Sequence, residues 1–397
     1  MNFPDLYTSF KHTRITPKFL KEYSFEKIMV GSGGSGDIII HYKKGKTNLI
    51  AKVFPGDQYT SHTNYEIKVS QFLTKKFVLT NRTAHLVGIY NHQSSSNLSH
   101  FINYAINHPK KCLTYEEKLL KKVNISYIDD IVCDIKTKIK LGIMNNSFDI
   151  ALLEYCDTNL GYIIYQNMNK LHKKPSIILL NNFIYDLHRI LFQLIFTLAI
   201  IQEDYPGFCH DDFFCRNILV SLDNSHSNND YIEYIYQKQR FYLPANGYWS
   251  KINDFGYSVI ANHIDTKRYN TKTKPWQKYY HQNPFNHKID IFNLLHDIYD
   301  GENIGVESII EIHLKSKIPP KYIKKLRQFM NNFIDIDIID KINKNNKHLA
   351  DSTWHIDSIP ILENTIYTPK EYLTNGVFDI FTHKPPNSNI INTFNAK

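Results

Sequence analysis

Four groups of residues in this chain of 397 have the types and spacing that phosphate chemistry needs. Gly31-Ser32-Gly33-Gly34-Ser35-Gly36 is a G-x-G-x-x-G. Without a Cβ, glycines let backbone N–H groups lie close to a polyphosphate. A dinucleotide-binding turn, a nucleotide-covering loop and an ordinary flexible turn can all carry that pattern. Lys52, in Leu49-Ile50-Ala51-Lys52-Val53-Phe54, is a cation on a strand just downstream, and Glu66 beyond it can pair with its ammonium. Taken alone, a strand lysine is ordinarily solvent-exposed and a helix glutamate ordinarily lies on the surface. The stretch His210-Asp211-Asp212-Phe213-Phe214-Cys215-Arg216-Asn217 puts a carboxylate and a carboxamide on one short loop. There Asp212 can accept a hydroxyl proton while Asn217 offers an oxygen to Mg2+, a cation that prefers oxygen ligands. Asp and Asn are also common in plain polar loops. Last, Asp254-Phe255-Gly256 sets a metal-ligating carboxylate before a glycine that frees the backbone, though the tripeptide alone is common.

The elements around these residues decide how each can act. Residues 25–54 read as three antiparallel strands with a Gly-rich turn and a Lys/Gly turn between them. The first turn therefore opens Asp37-Ile38-Ile39-Ile40, a β-branched strand, whereas a dinucleotide turn must open a helix. This setting is that of a strand–loop–strand phosphate cover. Residues 62–77 have helical spacing and carry Glu66. Residues 86–90 and 150–155 read as strands, and 91–148 as a polar, Lys-rich insertion that includes Glu116 and Glu117. Residues 183–204 form an amphipathic helix, 223–240 a polar stretch, and 288–299 and 321–334 two further helices. The domain reading is a lead over 1–24, a small domain over 25–156, a larger one over 157–350, and a loosely ordered tail over 351–397.

Composition narrows the classes. Apolar residues make up 42% of the chain, enough for a sizeable core. A net charge of +9 suits acidic partners but says nothing of fold, and no predicted helix shows a basic stripe for specific nucleic-acid binding. The 5 cysteines include no C-x-x-C pair, which predicts a reducing compartment and argues against a disulfide scaffold or a zinc ribbon. No signal peptide is visible, and the apolar run Ile190–Ile201 is broken by Gln193 and Thr197, so a cytoplasmic protein without a membrane span is expected.

The order of the motifs is more specific than any one of them. A Gly-rich loop, a strand Lys, a helix Glu, H-x-D-x-x-x-x-N and D-F-G follow one another in fitting structural settings, and over about residues 25–300 the chain resembles the eukaryotic-type protein kinases. The resemblance implies an α+β, bilobal fold, with a β-rich N-lobe, a larger helical C-lobe and ATP in the cleft. By the same resemblance Gly31, Gly33 and Gly36 cover the phosphates and Lys52 holds them, oriented by Glu66. Glu154 and Cys156 meet adenine through their backbone, and Leu153 guards the pocket behind it. Asp212 is the catalytic base, His210 supports the D-F-G turn, Asn217 and Asp254 ligate Mg2+ (or Mn2+), and Asp290 braces the catalytic loop.

The chain also departs from the family pattern. Asp211 replaces the Arg that meets an activation-loop phosphate, no A-P-E follows D-F-G, and Ile50 stands where Ala usually faces adenine. Phe214 replaces the Lys of serine/threonine kinases, and Arg216 matches a tyrosine-kinase position. The long segment before Lys251-Ile252-Asn253-Asp254 and the Lys/Asn/Ile/Tyr-rich composition look like the serine/threonine kinases of large nucleocytoplasmic DNA viruses, placing the protein in host cytoplasm or virion. Residues 267–278 carry five basic side chains, suited to an acidic protein substrate. The expected function is an ATP- and Mg2+-dependent protein kinase acting on Ser/Thr hydroxyls. A pseudokinase scaffold and a small-molecule phosphotransferase of the same fold are the alternatives.

Overall fold

The computed structural model describes residues 3–30, 37–55, 61–106, 127–142, 144–260, 263–264, 287–300, 318–337, 339 and 366–397. Gly31, Gly33 and Gly36, the Glu116–Glu117 pair and the basic segment 267–278 lie outside them. The chain divides into two compact units, 1–71 with 88–155, and 72–87 with 156–397. The first is built on a β-sheet and the second is rich in helix, an α+β architecture.

In the first unit, α1 (Phe3–Phe10) and α2 (Pro17–Leu20) precede β1 (Ser24–Val30), β2 (Ile38–Lys44) and β3 (Thr47–Pro55). Helix α3 (Ser61–Leu73), β4 (Ile89–Ser95), α4 (Leu98–Ile106), α5 (Tyr127–Lys140) and β5 (Phe148–Glu154) follow. The five strands form one antiparallel sheet in the order β1-β2-β3-β5-β4. Side chains alternate across a strand. Leu49, Ala51 and Val53 of β3 therefore join Ile38, Ile40 and Tyr42 in one core, while Lys52 and Phe54 face the other side. That second face is covered by Ile67 of α3.

The lead over 1–24 is part of this unit: Leu6, Phe10, Ile15 and Leu20 are buried in the sheet's core. Asn91 donates to the carbonyls of Phe10 and Thr13 at 3.0 and 2.6 Å, tying the lead to β4. The apolar residues are too widely spaced to show a period, because two short helices share them. Among the described residues of 91–148, the first complete β4, and Leu98, Phe101, Ile102 and Ile135 enter the same core.

The second unit holds β6 (Thr158–Asn159), α6 (Leu160–Lys173), α7 (Ile177–Asp204), β7 (Phe208–Cys209) and β8 (Ile218–Asp223). Strands β9 (Asp230–Tyr236), β10 (Gln239–Pro244), β11 (Gly247–Ile252) and β12 (Val259–Ile260) come next. Helices α8 (Ile289–Asp300), α9 (Pro320–Asn331) and α10 (Pro369–Thr374) and strand β13 (Asn389–Asn395) complete it. Helix α7 has 28 residues and is long and apolar enough to cross a bilayer, but 78% of its most apolar stretch is buried within the protein. The two polar residues that interrupt it hold partners. Gln193 accepts from the Ser250 N–H and hydroxyl, both at 2.8 Å, and Thr197 meets Thr83 at 2.8 Å.

The stretch 223–240, read as polar, contains β9, which pairs with β10 in a hairpin. Its tyrosines alternate with isoleucine and Glu233, and Ile232, Tyr234 and Tyr236 turn inward. The last residues are likewise ordered from 366 to 397: α10 has a capping box between Thr368 and Glu371, and β13 runs parallel to β9. Pro369 stands at the first position of that helix, where the missing N–H costs nothing. Arg82 bridges the Asp204 carboxylate and the Ala396 carbonyl, closing this end of the chain onto residues 72–87.

His85 gives this unit a pH dependence. Its Nδ1–H donates to the Ser250 carbonyl at 2.8 Å and its Nε2 accepts from the Tyr234 hydroxyl at 2.7 Å. Its ring stacks on Trp249 and lies against Phe394. Burial, and then the nearby Lys251 charge, lower its pKa from 6.5 to about 3. The unfolded chain therefore binds a proton below pH 6.5 that the folded chain refuses, so stability is complete above that pH and is lost as pH falls. The slope is about 1.4 kcal/mol per pH unit from this group. Asp186 acts oppositely: burial raises it to about 6, so it favours folding as pH falls through that value. Comparing wild type with His85→Gln, which keeps a donor and an acceptor, isolates the first effect. Chemical unfolding at pH 7 and pH 5 is expected to show a smaller loss in the variant; equal losses would refute the account.

Candidate active site

The site residues fall into two constellations, one in each unit. In the first, β3 presents Lys52 beneath α3, and its ammonium lies 2.6 Å from the Glu66 carboxylate. Strand alternation and the helix that follows β3 together produce this pairing. A second carboxylate, Asp37, lies 3.3 Å from the same ammonium, and both side chains are nearly buried. Sequence reasoning alone misses Asp37. Asp37 immediately precedes β2, whose Ile39 is the register partner of Lys52, so only the strand pairing brings it to that ammonium. The ring of Phe54 adds a cation–π contact at 4.8 Å. At the end of β5 the Glu154 N–H donates to the Gly88 carbonyl at 2.9 Å, and a Glu154 carboxylate oxygen accepts from the Gly88 N–H at 3.2 Å. Tyr155 stacks on His41 of β2 at 4.3 Å, fixing the chain just before Cys156.

The second constellation is the loop between β7 and β8. Asn217 uses its amide to donate to Asp212 twice, to the backbone carbonyl at 2.8 Å and to Oδ2 at 2.7 Å. With its N–H groups so committed, Asn217 keeps Oδ1 as the acceptor that can meet a cation. Arg216 pairs with the other Asp212 oxygen and lies over the Phe214 ring at 4.7 Å. Asn217 and Asp254 are brought together by strand pairing. Strands β8 and β11 run antiparallel with Ile218 opposite Ile252, and the next N–H, that of Asn253, donates to the Asn217 carbonyl at 3.0 Å.

Asp254 itself is left-handed, with φ 64° and ψ 71°, and begins the turn Phe255–Tyr257. Non-glycine residues adopt this region rarely, Asp and Asn more than most. The His210 Nε2–H donates to the Asn253 carbonyl at 3.0 Å, and its ring packs on Phe255 at 5.2 Å, so His210 supports the turn from beneath.

Helix α8 braces this loop. Asp290 is 1% exposed, and its two oxygens accept from the His210 N–H at 2.8 Å and the Asp211 N–H at 3.1 Å. Asp211 has φ 60°, so the bracing holds the backbone in a conformation it would otherwise seldom adopt. Seven residues along the helix, Asp297 accepts from the Cys215 N–H at 2.7 Å, a contact that sequence reasoning does not foresee. Burial, then the neighbouring carboxylates, push the Cys209 and Cys215 thiols well up, which leaves both as neutral packing groups. Among the described residues no group of three or more His, Cys, Asp or Glu converges on a metal position. Asn217 and Asp254 both carry side-chain oxygens, the donor type that Mg2+ takes, and phosphate and water could supply its other ligands.

No protein-family model matches the chain. Two proteins of Acanthamoeba polyphaga mimivirus, each named a putative serine/threonine-protein kinase, are similar to it. One is 40% identical over 403 residues, covering 100% of this chain and 99% of its own length. The other is 28% identical over 192 residues, covering 46% of this chain and 38% of its own. Given a relative of that identity along its whole length, the chain belongs to this divergent viral protein kinase family.

Proposed function

We propose that the protein is an ATP- and Mg2+-dependent kinase that phosphorylates protein hydroxyls, with preference for serine and threonine. The observation that carries this reading is the Asp212 carboxylate, gripped by Asn217 on a loop that Asp290 braces. In this reading Asp212 accepts the proton of the attacking hydroxyl. The hydroxyl oxygen bonds to the γ-phosphorus as the bond to the β–γ bridging oxygen breaks, and ADP leaves. Lys52, held by Glu66, takes the α- and β-phosphates, and Gly31, Gly33 and Gly36 cover them. Glu154 and Cys156 meet adenine through their backbone. Asn217 and Asp254 hold Mg2+ or Mn2+, which when bound offsets phosphate charge. The serine/threonine preference rests on the names of the mimivirus relatives. Residues 267–278 favour an acidic protein substrate.

The test is labelled γ-phosphate transfer from ATP by the purified full chain, with Mg2+ or Mn2+, onto acidic and basic proteins. Phosphoserine and phosphothreonine are the expected products. Phosphotyrosine would overturn the hydroxyl preference, and transfer to small alcohols alone would make the protein a small-molecule phosphotransferase. Binding of ATP by the folded chain without transfer would make it a scaffold.

A further inference from the structure

The side of α8 that meets the loop is polar. Asp290, Asn293 and Asp297 recur at i, i+3 and i+7, one face of a helix, whereas Ile291, Leu294, Leu295 and Ile298 are buried apolar residues. Asp290 serves the entry of the loop, at His210 and Asp211. Asp297 serves its exit, where the single helical turn Cys215–Asn217 begins. The first N–H groups of such a turn have no acceptor within it, and the residue before it, Phe214, has no side chain able to cap. Asp297 supplies that acceptor from outside. The Asn217 N–H closes the turn on the Phe214 carbonyl at 2.9 Å, so the pitch set at Cys215 decides how the Asn217 amide reaches Asp212.

We propose that Asp297 is a positioning residue for phosphate transfer, clamping the exit of the loop as Asp290 clamps its entry, so that Asp212 and Asn217 keep one geometry. The proposal rests on the roles given to those two residues above. Asp297 touches neither nucleotide nor substrate; it acts through Cys215, whose N–H and thiol both meet its carboxylate.

Three variants of the full chain test it. Asp297→Leu removes the acceptor at similar volume, and Asp297→Asn keeps an oxygen for the Cys215 N–H. Cys215→Pro deletes the donor, at the first position of a turn preceded by an extended residue, where proline is tolerated. Asp297→Leu and Cys215→Pro are each expected to lower kcat by about 10- to 100-fold with the KM for ATP within about twofold, because the reacting groups lose alignment. Asp297→Asn returns kcat to within about threefold of wild type, and adding Asp297→Leu to Cys215→Pro costs less than about twofold more. A fully additive double variant, or a kcat within twofold of wild type in either single one, would overturn the proposal.

Hydrogen exchange decides independently of turnover. In Asp297→Leu the amides of residues 215–217 are expected to exchange at least about tenfold faster while those of β8 from Val220 onward do not change; unchanged exchange at 215–217 overturns the clamp. If the wild type transfers no phosphate, the kinase reading fails, and the exchange result still decides whether Asp297 holds the loop.

Discussion

Asp212→Asn is expected to lower kcat by about 10³-fold, the middle of the range that a positioned general base contributes. The substitution preserves size but removes the proton acceptor. It also breaks a hydrogen-bond arrangement. One Asp212 oxygen accepts from Arg216 and the other from Asn217, so whichever way the new amide turns, its NH2 group faces a donor. One partner is therefore lost, at a cost of about 1–3 kcal/mol to the local geometry. The fold is affected less than the rate, because the carboxylate's hydrogen bonds go to Arg216 and Asn217, which lie outside α7 and the β8–β11 pair. Initial rates at saturating ATP, alongside thermal melting, check the separation. A variant that keeps a tenth of wild-type kcat would remove Asp212 from its role, whatever its melting temperature.

Where residue type combines with setting, side-chain partners are legible in the sequence. Lys52 on a β-branched strand and Glu66 on the helix after it predict the ion pair from sequence alone, and the structure places them 2.6 Å apart. Asp290 has a bracing role only through the resemblance to protein kinases, and it meets the loop at the His210 and Asp211 N–H groups. Asp37 and Asp297 were not, because nothing in their immediate sequence distinguishes them from surface acids; only the paired strand and the helix face give them their partners. Among the elements, α7 begins at Ile177 and not at 183, because its first turn exposes Ile177, Ile178 and Leu179 and so hides the apolar period. Strand β13 was missed for a related reason. Only Phe394 of that strand is fully buried, and its pairing with β9 joins residues far apart in sequence.

Asp290→Ala is expected to destabilise the protein as well as slow it. The carboxylate is 1% exposed and serves the His210 and Asp211 N–H groups and the Cys209 thiol, at 2.8, 3.1 and 3.5 Å. Removing it leaves two backbone donors without an acceptor beside a residue held at φ 60°. Orphaned buried donors cost about 1–3 kcal/mol each, so a loss of roughly 2–5 kcal/mol follows. For a unit of this size that corresponds to a fall in Tm of roughly 5–15 °C. The rate falls for a different reason: Asp211 can relax out of the left-handed region, and Asp212 moves with it. Asp290→Asn separates the two effects, since it keeps one oxygen and restores one of the two backbone bonds while presenting an N–H to the other. Its Tm and kcat should both lie between those of wild type and Asp290→Ala. A melting temperature for Asp290→Ala within about 2 °C of wild type would mean that water or a neighbouring group replaces the carboxylate, and that the loop's geometry is set by β7 and β8 without help from α8.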